Sequence, residues 1–263
     1  MTLVWRPGFQ FDADASTYIE AVEAADTQAL ETGVRYAIND FVIGCKNDGI
    51  WSAIKASCIL AGARTLDGAL VPLAGTAPTN NNFVFGDYNR KTGLLGNGST
   101  KYLNTNRLCS AEIASNTHFS FYVSEDTSNY NVYGGAYVSS PGFFRYIIRN
   151  LDSNYRFSCN TTNQTASSGF TLAPSNTPRF LGVTSSQPGT VNARLAGQSY
   201  STLLTHTNVP ALNHFVFSRN NDGTPDSYAS SRVAFYSVGE SLDLALLDAR
   251  VTDLMTAIGT AIP

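Results

Sequence analysis

The chain has 263 residues, of which only 14% are charged, and its formal net charge is −3. A length of this order supports a core that needs no disulfide staples, and the lack of basic runs excludes binding driven by phosphate neutralisation, so no nucleic-acid partner is expected. No window has the apolar length of a membrane span, and the opening residues MTLVWRPGFQFDADAS carry neither a secretory apolar core nor a cleavage signal; folding in a cytosol, without membrane insertion, is the expectation.

Residues 1–12, with Trp5, Pro7 and Gly8, show little periodicity and read as an extended arm. Two readings apply to it: a strap that docks Trp5, Phe9 and Phe11 into a neighbouring subunit, or a segment packed on its own domain. From Asp14 the pattern turns helical, which defines a small subdomain over residues 13–62. Asp14 is placed to cap a helix carrying Tyr18, Val22 and Ala25, and Asp26 to cap a second one. In the second, Leu30, Val34, Ile38, Phe41, Val42 and Cys45 recur at spacings of three and four. Asp48 offers a third start, with Ile50, Trp51 and Ile54 turned inward. Gly33 interrupts the second pattern. So few helices cannot bury a core alone, and the subdomain is expected to pack on the remainder of the chain.

After Gly62 the texture changes to short alternating runs bounded by Gly, Pro and Asn, beginning with ALVPLAG and the segment NFVFGDYNRKTGLLGNGSTKYL. HFSFYVSED, FFRYIIRN, YRFSCN, RFLGVTSS, VNARLAGQSYSTL and HFVFSRN succeed one another at the spacing of a sandwich or jelly roll over residues 63–263. Val191, Ala193 and Leu195 alternate with Asn192 and Arg194, which predicts one wet face, and Ala196-Gly197-Gln198 reads as a hairpin turn. At the end of the chain, Val233, Phe235 and Ser237 share one strand face and Ala234, Tyr236 and Val238 the other; neither face is fully polar, so both are expected to be covered. Gly239 breaks this strand. Ser241 is placed to cap a closing helix over residues 241–258, in which Leu247, Val251, Leu254 and Ile258 form one apolar stripe.

The run HFVFSRNNDGTP, continued by SSRVAFYSVGESLDLALLDARVTDLMTAI, resembles the last third of the concanavalin A-like, laminin-G-type jelly-roll domains of bacteriophage and marine viral proteins. GIWSAIKASCILAGARTLDGALVPLAGTAPTNNNFVFGDYNRKTGLLGNGSTKYLNTN is similar to the segment preceding that domain in phage virion proteins. Together the two cover most of residues 45 to 263. The resemblance implies a mainly β, concanavalin A-like sandwich with an N-terminal helical subdomain and a C-terminal helix. It is specific for architecture rather than role, since such domains serve as capsid decorations and as tail or fibre adhesins.

Catalytic patterns are sparse. Glucanases of this fold need two carboxylates about 5 Å apart on alternate residues of one strand. Here Glu125 and Asp126 are adjacent in what reads as a polar loop, Asp222 and Asp226 flank a Gly-Pro turn, and Asp243, Asp248 and Asp253 lie on the closing helix. There is no G-x-S-x-G elbow for a nucleophile, and His118, His206 and His214 stand beside strand-like runs. Cys45, Cys58, Cys109 and Cys159 lack metal-ligand spacing and read as buried free thiols, consistent with a reducing cytosol. The sequons at Asn97, Asn160 and Asn163 matter only on a eukaryotic secretory route, and GNGS at residues 96–99 is a turn.

Two loops invite binding readings. In NNDGTPD, the oxygens of Asn221, Asp222 and Asp226 suit Ca²⁺, although the same residue types build any tight turn; no other cofactor is expected. Residues 128–142 interleave Tyr130, Tyr133 and Tyr137 with Asn131 and two glycines, and Tyr228 comes just after NNDGTPD. Stacking rings beside amides is what sugar recognition needs, against the commoner use of Tyr as a buried ring with a wet hydroxyl. The resulting expectation is a non-enzymatic phage virion protein, a capsid decoration or a tail or fibre component. It would be homo-oligomeric, docked to capsid or tail proteins, and in contact with host polysaccharide. A carbohydrate-binding module, and behind it a glycan-cleaving enzyme, are the alternatives.

Overall fold

A computed structural model describes residues 10–126, 131–140, 143–149, 154–161, 165–171, 178–203 and 205–263. Two helices open the chain, α1 (Ala13–Asp26) and α2 (Thr32–Asn47). The cap of α1 is Asp12 rather than Asp14: its carboxylate accepts from the Asp14 amide at 3.0 Å. Asp26 ends α1 instead of opening α2. Its buried carboxylate accepts from the backbone amides of Arg64 and Thr65, at 2.6 and 2.8 Å, and so pins a distant loop.

The third predicted helix does not form. Trp51–Ala53 is a single 3₁₀ turn, and Ile54–Ile59 is strand β1, so the helical segment ends well before residue 62. A four-residue helix α3 (Leu66–Ala69) comes next. The run ALVPLAG supplies no strand of its own, only a bridge from Ala74 to Ser57. The later strands are β2 (Thr79–Asn81), β3 (Tyr88–Asn89), β4 (Gly93–Leu95), β5 (Tyr102–Leu108), β6 (Thr117–Glu125), β7 (Asn131–Val138), β8 (Phe143–Arg149) and β9 (Asn154–Thr161). After them come β10 (Thr165–Thr171), β11 (Arg179–Gln187), β12 (Thr190–Leu195), β13 (Gln198–Leu203), β14 (Asn213–Val216), β15 (Arg219–Asn221), β16 (Thr224–Asp226) and β17 (Arg232–Gly239). Helix α4 (Leu244–Ala261) closes the chain and is capped by Asp243, not Ser241.

The strands make two sheets. The first runs β13-β12-β11-β6-β17-β4-β3, with β1 also paired to β17; the second runs β10-β9-β8-β7-β14-β5-β2, with β15 and β16 attached at β7. Between them lies one apolar core, with Phe119, Phe121, Val183 and Tyr236 from the first sheet and Tyr133, Ile147, Phe157 and Val216 from the second. The outer face of the first sheet is covered by α1, α2 and α4, and Phe235 there meets Phe41 of α2 edge-on at 5.8 Å. A buried Phe of this kind contributes about 1.5–3 kcal/mol. At β17 the first sheet is therefore covered on both faces, as the mixed pattern of that strand predicts.

Strict alternation nevertheless fails inside β17. A register shift against β6 between Val233 and Phe235 puts Val233 in the inter-sheet core with Tyr236 and Val238, while Ala234 and Phe235 both face the helices. Gly33 is explained by packing: a Cβ there would stand 2.7 Å from that of Ala261, so glycine lets α2 and α4 approach. Arg250 of α4 fastens the same pair through two bonds to Asp48, at 2.7 and 3.0 Å. Trp5 and Phe9 lie outside the described residues. Phe11 lies edge-on to Tyr36 of its own chain at 5.4 Å.

Candidate functional site

The helical layer does not extend over all of the first sheet. Beyond the first turn of α4, the outer face of β11, β12 and β13 stays open and forms a cleft of about 630 Å³. Cross-strand register lines up its floor. Thr184 of β11 stands opposite Asn192, which stands opposite Ser201; in the next row Gly182 is opposite Arg194 and Arg194 opposite Ser199. Because side chains alternate, these outward positions are the wet face predicted for β12, and the inward ones, Val191, Ala193 and Leu195, are buried. Leu242, Asp243 and Leu244 make the opposite wall.

The polar groups are held in place. Arg194 donates from Nε to Asp248 at 2.9 Å and from Nη1 to Ser199 at 3.1 Å, which fixes the guanidinium at the rim. Asp243 spends one oxygen on the amides of Ala245 and Leu246. Ser241 is tied down by bonds from its amide and its hydroxyl to Asn116. Beside the floor, on β6, His118 stands opposite Thr184. Its Nδ1 lies 2.5 Å from the carbonyl of Glu240, which only accepts, so Nδ1 carries the proton and Nε2 accepts from Ser237. Burial pushes the imidazole pKa down to about 4, so it is neutral at physiological pH. Short hydroxyls, an amide and a fixed guanidinium beside two leucines form a surface suited to bonding a polyhydroxylated ligand and covering its C–H faces.

Of the residues predicted to form a sugar platform, two are turned into the interior. Tyr130 lies outside the described residues. Tyr133 and Asn131 are fully buried, so neither presents a face or an amide to solvent. Tyr137 is half-buried, and the guanidinium of Arg219 sits 4.7 Å over its ring. Tyr228 is half-buried too, edge-on to Tyr102 at 6.3 Å, with its hydroxyl on the Pro225 carbonyl.

The predicted Ca²⁺ loop is a hairpin between β15 and β16, turning at Asp222 and Gly223, both at positive φ. Both of its carboxylates are already engaged. Arg219 grips Asp226 at 2.8 and 2.6 Å, Asn221 donates to the same carboxylate at 2.8 Å, and Ser139 donates to Asp222 at 3.0 Å. A guanidinium fork where a cation would sit makes this a structural turn rather than a metal site. Among the described residues no cluster of His, Cys, Asp and Glu is arranged to hold a metal.

All four cysteines are free and buried, and burial raises the thiol pKa to about 12 for Cys45, Cys58 and Cys159 and to about 11 for Cys109. Asp126, read from sequence as part of a polar loop, is instead buried. It accepts from the hydroxyls of Tyr133, Tyr155 and Ser231 at 2.8, 2.6 and 3.1 Å. Burial, reinforced by the Asp126 charge, drives both tyrosine pKa values upward, so the phenols are protonated donors. This network is invisible to sequence reasoning because its members span residues 126 to 231. The cleft is half visible in the polar face of β12, but its far wall comes from residues about fifty positions later.

No protein-family model matches the chain, and no curated protein matches it in sequence. Solved structures do match in shape. A mutant of Trypanosoma rangeli sialidase displaying trans-sialidase activity aligns with a TM-score of 0.52 at 10% identity, over 84% of this chain and 39% of that one. The botulinum neurotoxin serotype D binding domain aligns at 0.50 with 12% identity, over 76% and 51%. The chain has a β-sandwich fold of the jelly-roll type. It spans well under two thirds of either protein, and identities this low speak to fold alone. A tailspike protein 2 from an Escherichia coli O157:H7 bacteriophage aligns at only 0.41.

Proposed function

We propose that this chain is a non-enzymatic, glycan-binding component of a phage virion, a capsid decoration or a tail or fibre part, that takes a neutral sugar in the cleft between β11–β13 and the start of α4. The observation that carries this reading is the cleft itself: Thr184, Asn192 and Ser201 in one row, and Arg194 held by Asp248 and Ser199 in the next, all facing an open volume of about 630 Å³. The sequence resemblance to virion jelly rolls supports the setting. Binding without cleavage is favoured because Asp248 is paired with Arg194 and Asp243 with the helix amides, which leaves neither poised as an acid or nucleophile.

Glycan-array screening of the purified full chain, with calorimetric titration of the best ligand, tests the reading. Asn192→Ala is expected to weaken binding about tenfold, the worth of a hydrogen bond to a buried polar ligand group. Failure of every glycan to bind, or an Asn192→Ala variant of unchanged affinity, would remove the cleft from consideration. Mass spectrometry of separated heads and tails tests the virion setting.

A further inference from the structure

The edges of the two sheets are protected unequally. β2 and β3 are blunted by their length, three and two residues. β13 ends its sheet with six residues in unbroken register on β12. It contains no proline and no bulge, and between Arg194 and Arg219 the sequence has no Asp, Glu, Lys or Arg. Those are the devices by which natural edge strands discourage pairing, and here they are missing.

The hairpin geometry says which backbone groups are on offer. Leu195 and Gln198 flank the two-residue turn Ala196-Gly197 and so form a hydrogen-bonded pair. Alternation along an antiparallel ladder then turns the N–H and C=O of Ser199, Ser201 and Leu203 away from β12. Among the described residues no strand pairs with that side. Ser199 and Ser201 are exposed, and Leu203 is 81% exposed.

We infer that β13 is a self-association edge, on which a second copy of this chain lays its own β13 antiparallel about a two-fold axis. With Ser201 opposite Ser201 of the second copy, Leu203 falls across from Ser199, and three outward residues on each strand exchange about six hydrogen bonds. A second copy is the fitting occupant because the strand is its own complement under a two-fold, an uncharged edge does not repel itself, and the pairing closes at two. Each protomer's outer face then continues into the other's, and the two clefts lie on one sheet. The pairing stands apart from the glycan reading; only its consequence, bivalent capture with a gain in avidity, rests on that reading.

Sedimentation and light scattering of the full chain at micromolar concentration are expected to give twice the 28.3 kDa chain mass. Ser201→Pro deletes the central outward N–H without touching a bond to β12, and is expected to return the mass to 28.3 kDa. Leu203→Lys, at a side chain too exposed to matter for folding, is expected to weaken the dimer by about tenfold or more and decides the matter if the proline variant misfolds. A wild-type chain that stays monomeric, including one whose edge instead takes a strand from another protein, overturns the inference. So does a dimer that persists unchanged in the folded variants.

Discussion

Tyr133 and Tyr155 stack with ring planes only 4° from parallel and centroids 6.2 Å apart, and their hydroxyls converge on the two oxygens of one carboxylate, Asp126. Ser231, next to the start of β17, adds a third donor, so the network ties the first sheet to the second at one end of the sandwich. Asp126→Asn keeps the shape but replaces one acceptor oxygen with a donor that faces a hydroxyl. Unfolding in urea is expected to show a loss of about 1–3 kcal/mol. A loss within about 0.5 kcal/mol would mean that the network carries no net stability.

Acid should destabilise the fold before its carboxylates titrate. Burial lowers the His118 pKa to about 4, against 6.5 in the unfolded chain, so the unfolded state binds the proton that the folded state refuses. Stability from this group is complete above pH 6.5 and is lost as pH falls from there toward 4. The full loss is about 3 kcal/mol. His214, shifted the same way by burial and by the charge of Arg145, adds to it. Scanning calorimetry should show a melting temperature that drops between neutral pH and about pH 5. His118→Gln should flatten part of that slope, and an identical slope in the variant would discharge His118 from the effect.

The β12–β13 hairpin leaves room for improvement. Ala196 sits at φ 49° and Gly197 at φ 81°, the paired left-handed geometry of a type I′ turn. Alanine is strained there, whereas asparagine is the preferred first residue. Ala196→Asn is expected to stabilise the chain by about 0.5–1 kcal/mol. A lower unfolding midpoint in guanidinium would contradict the turn assignment.

Features set by local periodicity are legible in the sequence. The hairpin at Ala196-Gly197, the break at Gly239, and the buried stripe Leu247, Val251, Leu254 and Ile258 each depend on neighbours a few residues away. The features that escape it depend on distant partners. Ile50 and Ile54 have helical spacing, yet Ile54 pairs with Gly239, and pairing with β17 overrides the local pattern to make β1 a strand. The register shift at Val233 and the burial of Asp126 are likewise imposed by the opposite strand and sheet. Tyr133 and Asn131 have the composition of a binding loop, but composition does not say which face of β7 turns inward.

Strand β17 is shared by β1, β4 and β6, and α4 lies on α2. Helix α2 is therefore made well before the strand and the helix it packs on. Val34, Ile38 and Phe41 complete their burial only when residues 232–261 have been synthesised. Synthesis of residues 232–261, rather than formation of the first helices, becomes the event that commits this sandwich to its native state.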